Sequence, residues 1–379
     1  MAFPHTLRLV LAGILSIPAL LLLLAVAPIL VVLSIPSLAI LVRRKRNFLP
    51  SFTQTPSDNT NDNHRCPLLQ HAVVTGGSSG IGLSIAVELA NRGCDNITIL
   101  ARKESQLAEA KKSVEETVAV SKIKGAKATS VRTVSIDITD DKALIKVAET
   151  LCGEVGAPTL IFNCAGVSVP LDFEDLSTST FQSQVNLNYL GSTYIVKAFL
   201  PYMEKHIGGN IILTSSMSGQ TGTYGYSAYS PTKFAIRGFA ECLSMELAAH
   251  KSNVNIMLAY PPDTNTPGYE IENKLKPEAC RLISESGGIW EPNVVGGKIV
   301  KEALHSNPTF DIYFGIDGWM LSMLTSGMNP VTSVFDALCQ VALMGLLRFI
   351  SLFYLMDFGR VTQKCADELI QAKEESKED

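Results

Sequence analysis

Charge is what this sequence has least of, and where it is missing is informative. No charged residue occurs between Leu9 and Val42, and across all 379 residues only 18% are charged against 46% hydrophobic. That leans apolar for a soluble protein, and most of the excess sits at the two ends. A basic surplus is also missing: 32 Lys and Arg face 36 Asp and Glu, a net charge of −4. Nucleic acid is therefore not expected as a partner. The eight cysteines, at 66, 94, 152, 164, 242, 280, 339 and 365, show no CxxC spacing and no clustering with histidine. A zinc site or a disulfide framework is accordingly not expected. The cysteines read as reduced thiols packed as small hydrophobes, in a domain facing a reducing compartment. The length fits two ordinary domains, or one large α/β domain with added segments.

The uncharged N-terminal run exceeds the ~20 residues that a spanning helix needs. Pro18, Pro28 and Pro36 interrupt it, so a kinked span and a re-entrant hairpin both fit. A signal peptide has a shorter apolar core led by basic residues. Here Arg43, Arg44, Lys45 and Arg46 follow the run and only Arg8 precedes it. If the segment spans once, the positive-inside rule puts everything beyond it in the cytosol. Residues 1–47 thus read as a membrane anchor with a basic flank, and 48–69 as a linker containing the polar stretch Ser51–Asn63. Near the other end, 319–358 is apolar again, broken by Asn329, Pro330, Asp336, Gln340 and Arg348. An Arg at the bilayer centre costs ~2.5–3.5 kcal/mol on insertion scales. An interfacial or re-entrant segment is therefore expected over a clean span, with a homo-oligomer interface as the alternative. Residues 359–379 read as a charged tail, a frayed helix in water.

Between these ends, residues 70–318 alternate short β-branched runs with longer helical patterns. Strands are predicted at Ala72–Thr75, Ile97–Ala101, Ser130–Ile136, Leu160–Asn163, Asn210–Ser215, Val254–Tyr260 and Asp311–Gly315. Helical spacing falls between them, as at Leu83–Arg92, Gln106–Ser121 and Lys142–Cys152. The alternation implies βαβ units and a parallel sheet covered on both faces. The fold class is α/β: a Rossmann-like, doubly wound sheet of about seven strands, with its ligand at the carboxyl ends of the strands.

The first predicted strand runs into Thr75-Gly76-Gly77-Ser78-Ser79-Gly80-Ile81-Gly82, which opens a helix. Gly76, Gly80 and Gly82 permit a tight turn, and the Ser78–Ser79 backbone with the helix N-terminus offers N–H groups to a pyrophosphate. Folds of this kind that use NAD place an acid some 20 residues on, for the ribose 2′-hydroxyl. Here the second strand ends in Arg102 and Lys103, which suit a 2′-phosphate, so NADPH is the expected cofactor. Glu104 stands one residue further on. Asp137 and Asn163 end the third and fourth strands, where each fits either a cofactor contact or a structural turn.

Tyr229 and Lys233 are four residues apart, hence on one helix face. Reducing a ketone requires a proton at its oxygen, and a nearby cation lowers the pKa of a phenol that is otherwise near ~10. Thr214-Ser215-Ser216 ends the fifth strand and brings a hydroxyl to the same rim. Tyr224 and Tyr226 lack a lysine four residues on and read as pocket lining.

TGxxxGxG, NxAG, a strand-end serine and YxxxK, in that order over about residues 71–270, resemble the short-chain dehydrogenase/reductase family. The resemblance implies that Ser216 polarises the carbonyl, with Ser215 the one-residue alternative. It makes Tyr229 the proton donor and has Lys233 also hold the nicotinamide ribose. It assigns Asn188, in an NxxG spacing that Asn186 lacks, to a relay water. Pro231 inside YxxxK is unusual, though tolerable if Tyr229 lies near the helix start. Where the family has a proline–glycine pair, this chain has Pro261-Pro262-Asp263-Thr264-Asn265-Thr266-Pro267-Gly268, followed by Tyr269, Glu272-Asn273 and Lys276-Pro277. That stretch is similar to the 3-ketodihydrosphingosine reductases within the family. It implies a long-chain lipid ketone substrate and an endoplasmic reticulum membrane location, with the catalytic domain facing the cytosol. Thr264–Pro292 would be a substrate loop acting as a lid. The rival substrates are steroid and 3-oxoacyl-CoA ketones, and a non-catalytic lipid or nucleotide sensor is the rival from another class.

Overall fold

The computed structural model describes residues 66–120, 129–285, 287–332 and 334–378. The expected anchor at 1–47, the linker up to residue 65 and Ser121 lie outside the described residues. In chain order the elements are β1 (His71–Thr75), α1 (Gly80–Asn91), β2 (Asn96–Ala101), α2 (Glu104–Val120), β3 (Ser130–Ser135), α3 (Asp141–Glu154) and β4 (Leu160–Asn163). Next come α4 (Thr178–Gln184), α5 (Gly191–Glu204), β5 (Gly209–Thr214), α6 (Ser230–Ala249) and β6 (Val254–Ala259). The last are α7 (Pro267–Leu275), α8 (Glu278–Glu285), α9 (Pro292–Ala303), β7 (Asp311–Ile312), α10 (Gly315–Leu324) and α11 (Val334–Glu378).

All the strand pairs are parallel, in the order β3-β2-β1-β4-β5-β6-β7. Successive strand residues point to opposite faces, and both faces are apolar. Ala72 and Val74 join Ile85 and Leu89 of α1, Leu107 of α2 and Ile299 of α9 in one core. Val73 joins Leu144 of α3, Phe199 of α5 and Ile236 of α6 in the other. This is why the strands read as continuous apolar runs rather than alternating ones. The order reverses between β1 and β4, so their carboxyl ends part and open a crevice.

Two elements depart from expectation. The seventh strand is only Asp311–Ile312, because it pairs at the sheet edge through Leu258 and Ala259 alone before α10 begins at Gly315. At the C-terminus α11 is one unbroken helix of 45 residues, with no re-entrant turn between Val341 and Met356. The expected charged tail is helical and continues the same helix.

His71 fastens the sheet. Its Nδ1 lies 2.8 Å from the Gly156 carbonyl and its Nε2 3.0 Å from the Thr98 hydroxyl. A carbonyl only accepts, so Nδ1 carries the proton and Nε2 accepts from Thr98. Burial, first, and then the Arg132 charge hold the ring below its ordinary value of 6.5, against the pull of the Gly156 bond. The unfolded chain therefore binds the extra proton more readily, and stability is lost as pH falls below 6.5. The melting temperature is expected to drop on acidification from pH ~7.5 to ~5.5, and His71→Gln should flatten that slope. Equal slopes in the two proteins would exclude this role.

Candidate active site

The crevice is lined first by the turn after β1. Gly76 has φ +62°, a left-handed conformation, and a Cβ there would sit 2.9 Å from the Ala165 backbone. At Gly82 a Cβ would meet the Gly76 carbonyl oxygen at 2.4 Å, and backbone cannot yield. The turn is thus folded tightly onto the start of α1, which begins at Gly80. Ser79 takes the N-cap position with extended backbone, but its side chain makes no capping bond. The leading N–H groups of α1 remain free for an anion, beside the partly buried Ser78 and Ser79.

Asn163 ends β4 across the crevice, fully buried. Its Oδ1 accepts from the Thr75 hydroxyl at 2.7 Å, and that hydroxyl in turn accepts from Ala165 N–H. Its Nδ2 is a buried donor without a partner. Such a group is a place where a ligand acceptor fits. At the end of β2, Arg102 is exposed and Lys103 stands beside it with no carboxylate at the position NAD folds reserve. Asp137 closes a turn by accepting from Thr139 N–H and hydroxyl at 2.9 and 2.8 Å. Its other oxygen lies 3.9 Å from Arg102. An exposed pair at that distance is weak, so Arg102 is not committed to it.

Four residues named from the sequence meet at the rim of β4 and β5. Tyr229 is the N-cap of α6, so Pro231 falls in the first turn, where its missing N–H costs nothing. Lys233, one turn on, is 4% exposed, with Nζ 5.6 Å from the centre of the Tyr229 ring. Its bond is to the Thr214 carbonyl at 2.9 Å, and among the described residues it forms no ion pair with a carboxylate. Burial pulls this ammonium down to about 8. Ser216 hydrogen-bonds the Tyr229 phenol, whereas Ser215 is buried and donates to the Lys233 carbonyl at 3.0 Å. The geometry separates the two serines: Ser216 faces the phenol and Ser215 braces the helix.

Tyr229 runs against one expectation. Burial, then the negative charge of Glu272, hold its phenol above the ordinary value, and only the Ser216 bond works the other way. The proton stays on the phenol.

Asn188 is fully buried inside a π-turn, Val185–Leu190, that joins α4 to α5. Such wide turns disrupt regular helix bonding and are frequent at functional sites. Its Oδ1 accepts from Val167 N–H at 2.9 Å, while its Nδ2 donates to the Val167 carbonyl at 2.9 Å and the Thr232 hydroxyl at 3.0 Å. It therefore ties the loop after β4 to α6. Gly166 faces this joint bare, with Asn188 Oδ1 and Lys233 Nζ 3.2 and 3.5 Å from where a Cβ would stand.

Sequence reasoning treated Glu272 and Lys276 only as part of a resemblance. In the structure they form an ionic cluster beside Tyr229. The Lys276 ammonium lies 2.7 Å from Asp263 and 3.6 Å from Glu272, and the Tyr226 hydroxyl donates to Glu272. The signal was present as an acid–lysine pair at i,i+4; its location was not. Helices α7 and α8 form the expected loop, whose ends are tied by Trp290 N–H to the Asp263 carbonyl and Asn265 N–H to the Trp290 carbonyl. Thr266, just before α7, packs over Gly80. A cavity of about 1070 Å³ opens nearby, walled by Phe173, Tyr224, Tyr226, Pro231 and Phe234.

The profile of the family described as short chain dehydrogenase matches residues 70–275. The chain belongs to the short-chain dehydrogenase family. It is 44% identical over 296 residues to a 3-ketodihydrosphingosine reductase of Bos taurus, covering 78% of this chain and 86% of the relative. It is 43% identical to a 3-dehydrosphinganine reductase of Danio rerio, covering 80% and 88%. Among solved structures, an alcohol dehydrogenase from Thermococcus sibiricus complexed with 5-hydroxy-NADP superposes with a TM-score of 0.53 at 20% identity. The match covers 65% of this chain and 95% of that one and shows the shared fold.

Removing the Asn188 side chain breaks three hydrogen bonds, two to the exposed Val167 backbone and one to the Thr232 hydroxyl, which keeps its bond to the Tyr229 carbonyl. Each bond so lost costs about 0.5–1.5 kcal/mol. Asn188→Ala is expected to lower the melting temperature measurably in a denaturation scan. An unchanged transition would show that the joint is not supported by this residue.

Proposed function

We propose that the protein reduces the 3-keto group of 3-ketodihydrosphingosine (3-oxosphinganine) with NADPH, giving sphinganine for sphingolipid synthesis. The observation that carries the reading is that Ser216 lies at the Tyr229 phenol and the buried Lys233 ammonium 5.6 Å from the centre of its ring, beside a bare glycine wall and an open helix N-terminus. The substrate follows from relatives of that name that match across most of their own length.

The site's unfilled donors suit a dinucleotide. The free N–H groups of α1 and the Gly76–Gly82 turn would hold its pyrophosphate, Asn163 Nδ2 a further acceptor, Arg102 and Lys103 a 2′-phosphate, and Lys233 the nicotinamide ribose. When bound, NADPH supplies the hydride. The chain's own residues handle the proton. Ser216 donates to the substrate oxygen and polarises the carbonyl. Tyr229, which keeps its proton in the buried site, donates it to the forming alkoxide. The Lys233 ammonium stabilises the phenolate left behind. Asn188 holds the β4 loop and α6 in register so that these groups converge, in the place the family gives to a relay water.

Residues 70–318 would form the catalytic domain and 1–47 a membrane anchor, with the site toward the cytosol at the endoplasmic reticulum. The C-terminal helix supports membrane attachment. It is long and apolar enough to cross a bilayer, and it exposes Phe335, Val341, Phe349, Phe353 and Leu355. At about 1.5 Å per residue, α11 reaches roughly twice the ~30 Å hydrocarbon thickness. Its apolar half can therefore insert while its charged half stays in water. The alkyl chain of the substrate fits the cavity between Phe173, Tyr224 and Phe234.

Tyr229→Phe is expected to lower turnover of 3-ketodihydrosphingosine at least ~100-fold, while NADPH still binds by fluorescence titration. Near-normal turnover would dismiss Tyr229 as the donor. A double change, Arg102→Ala with Lys103→Ala, is expected to reduce the NADPH-over-NADH preference in kcat/KM by about 10–100-fold. A preference left intact would place recognition of the 2′-phosphate elsewhere.

A further inference from the structure

The proposed mechanism leaves one ionic group beside the reacting atoms without a role. Glu272 stands on α7 with its side chain 17% exposed. Tyr226 donates to its Oε1, and the rings of Tyr226 and Tyr229 are 5.5 Å apart. The carboxylate is thus one aromatic ring away from the phenol. Its field reaches both Tyr229 and Lys233.

Within its immediate cluster Asp263 and Glu272 share one ammonium, that of Lys276, whose side chain is 0% exposed. Lys276 is committed mainly to Asp263, at 2.7 Å against 3.6 Å, and it stacks over the Tyr269 ring at 4.6 Å. Both contacts to Glu272 fall on Oε1. Among the described residues, Oε2 carries no hydrogen bond. Burial is the largest influence on Glu272 and raises its pKa, so ionising it here is costly without a further cation.

The substrate reading resolves this. 3-Ketodihydrosphingosine carries an ammonium on the carbon next to its carbonyl. A carbonyl bonded to Tyr229 and Ser216 brings that ammonium close to the phenol, and Glu272 stands one aromatic ring from it. We propose that Glu272 binds the 2-ammonium group of the substrate through its uncommitted oxygen and so selects α-amino ketones over ketones lacking the amine. The inference rests on the proposed substrate class. A steroid or acyl thioester ketone brings no cation to this position and would leave that oxygen without a charged partner, a penalty that discriminates against it. Binding the amine also neutralises the charge that holds the Tyr229 proton. The phenol becomes a stronger acid only when the correct substrate is present.

The test compares two ketones with NADPH on the purified full chain: 3-ketodihydrosphingosine and its analogue 1-hydroxyoctadecan-3-one, which lacks the amine. For the wild type, kcat/KM should favour the amino ketone by on the order of 30-fold, the value of one charge-assisted bond in a partly buried site. In Glu272→Gln that ratio should shrink at least ~10-fold, because the amide keeps the Tyr226 bond but not the charge. A ratio unchanged in the variant overturns the proposal. Should the variant fail to fold, the wild-type ratio decides, and equal rates on the two ketones overturn it. A wild type that reduces neither ketone refutes the substrate reading itself and this inference with it. Turnover of the amino ketone without the preference refutes only the inference.

Discussion

Everything in the site turns on keeping the Lys233 ammonium buried without a carboxylate in direct contact among the described residues. An isolated charge taken out of water is costly and usually shifts its pKa until it neutralises. Lys233 is drawn down that way, to about 8, yet it is the residue around which the other groups are arranged. Its hydrogen bond goes to the carbonyl at the end of β5, its own carbonyl accepts from Ser215, and the residue before it accepts from Asn188. Three elements are pinned together to hold one amine. The bare Gly166 beside it leaves room for a partner that the protein itself does not supply. In the proposed mechanism that partner is the coenzyme ribose, and the cost of burial is offset only in the complex.

The same logic runs through Asn163 and Glu272. A buried amide donor without an acceptor, a buried ammonium without an anion and an acid with one uncommitted oxygen lie around a single crevice. Native interiors satisfy nearly all their polar groups. Deficits of both signs in one place mark where ligands complete the structure. The two apolar cores on either face of the sheet fix the strand ends from which these groups project.

Much of this was legible before any coordinates. Strand positions follow from apolar runs buried on both faces. Gly76 and Gly82 are dictated by backbone approaches that no side chain survives, and the placement of Pro231 follows from a tyrosine at the helix N-cap. Residue type and spacing sufficed here, because a glycine at a tight turn or a proline in a first helical turn marks its own backbone whatever packs against it. What could not be read is what arrives from far along the chain. The sequence argued that Lys233 lowers the Tyr229 pKa, but α7 brings Glu272 across from 43 positions further on, and burial with that charge raises it instead. The π-turn that buries Asn188 has no sequence signature. Choosing between Ser215 and Ser216 likewise needed the side-chain directions at the end of β5.

The C-terminal helix shows a different limit. Arg348 argued against a straight apolar span, yet α11 continues through it without a break. Arg348 donates to the Ser351 hydroxyl one turn on, and a long side chain can run along the helix toward the interface and keep its head wet. The composition of one helix does not decide its shape, because backbone bonds are satisfied internally whatever the side chains do. What the rest of the molecule adds is an address. Helix α11 packs on α8 of the loop that carries Glu272, and Cys365 of α11 lies close to Tyr224 on the cavity wall. The helix thus carries exposed apolar residues at one end and reaches the cavity wall at the other.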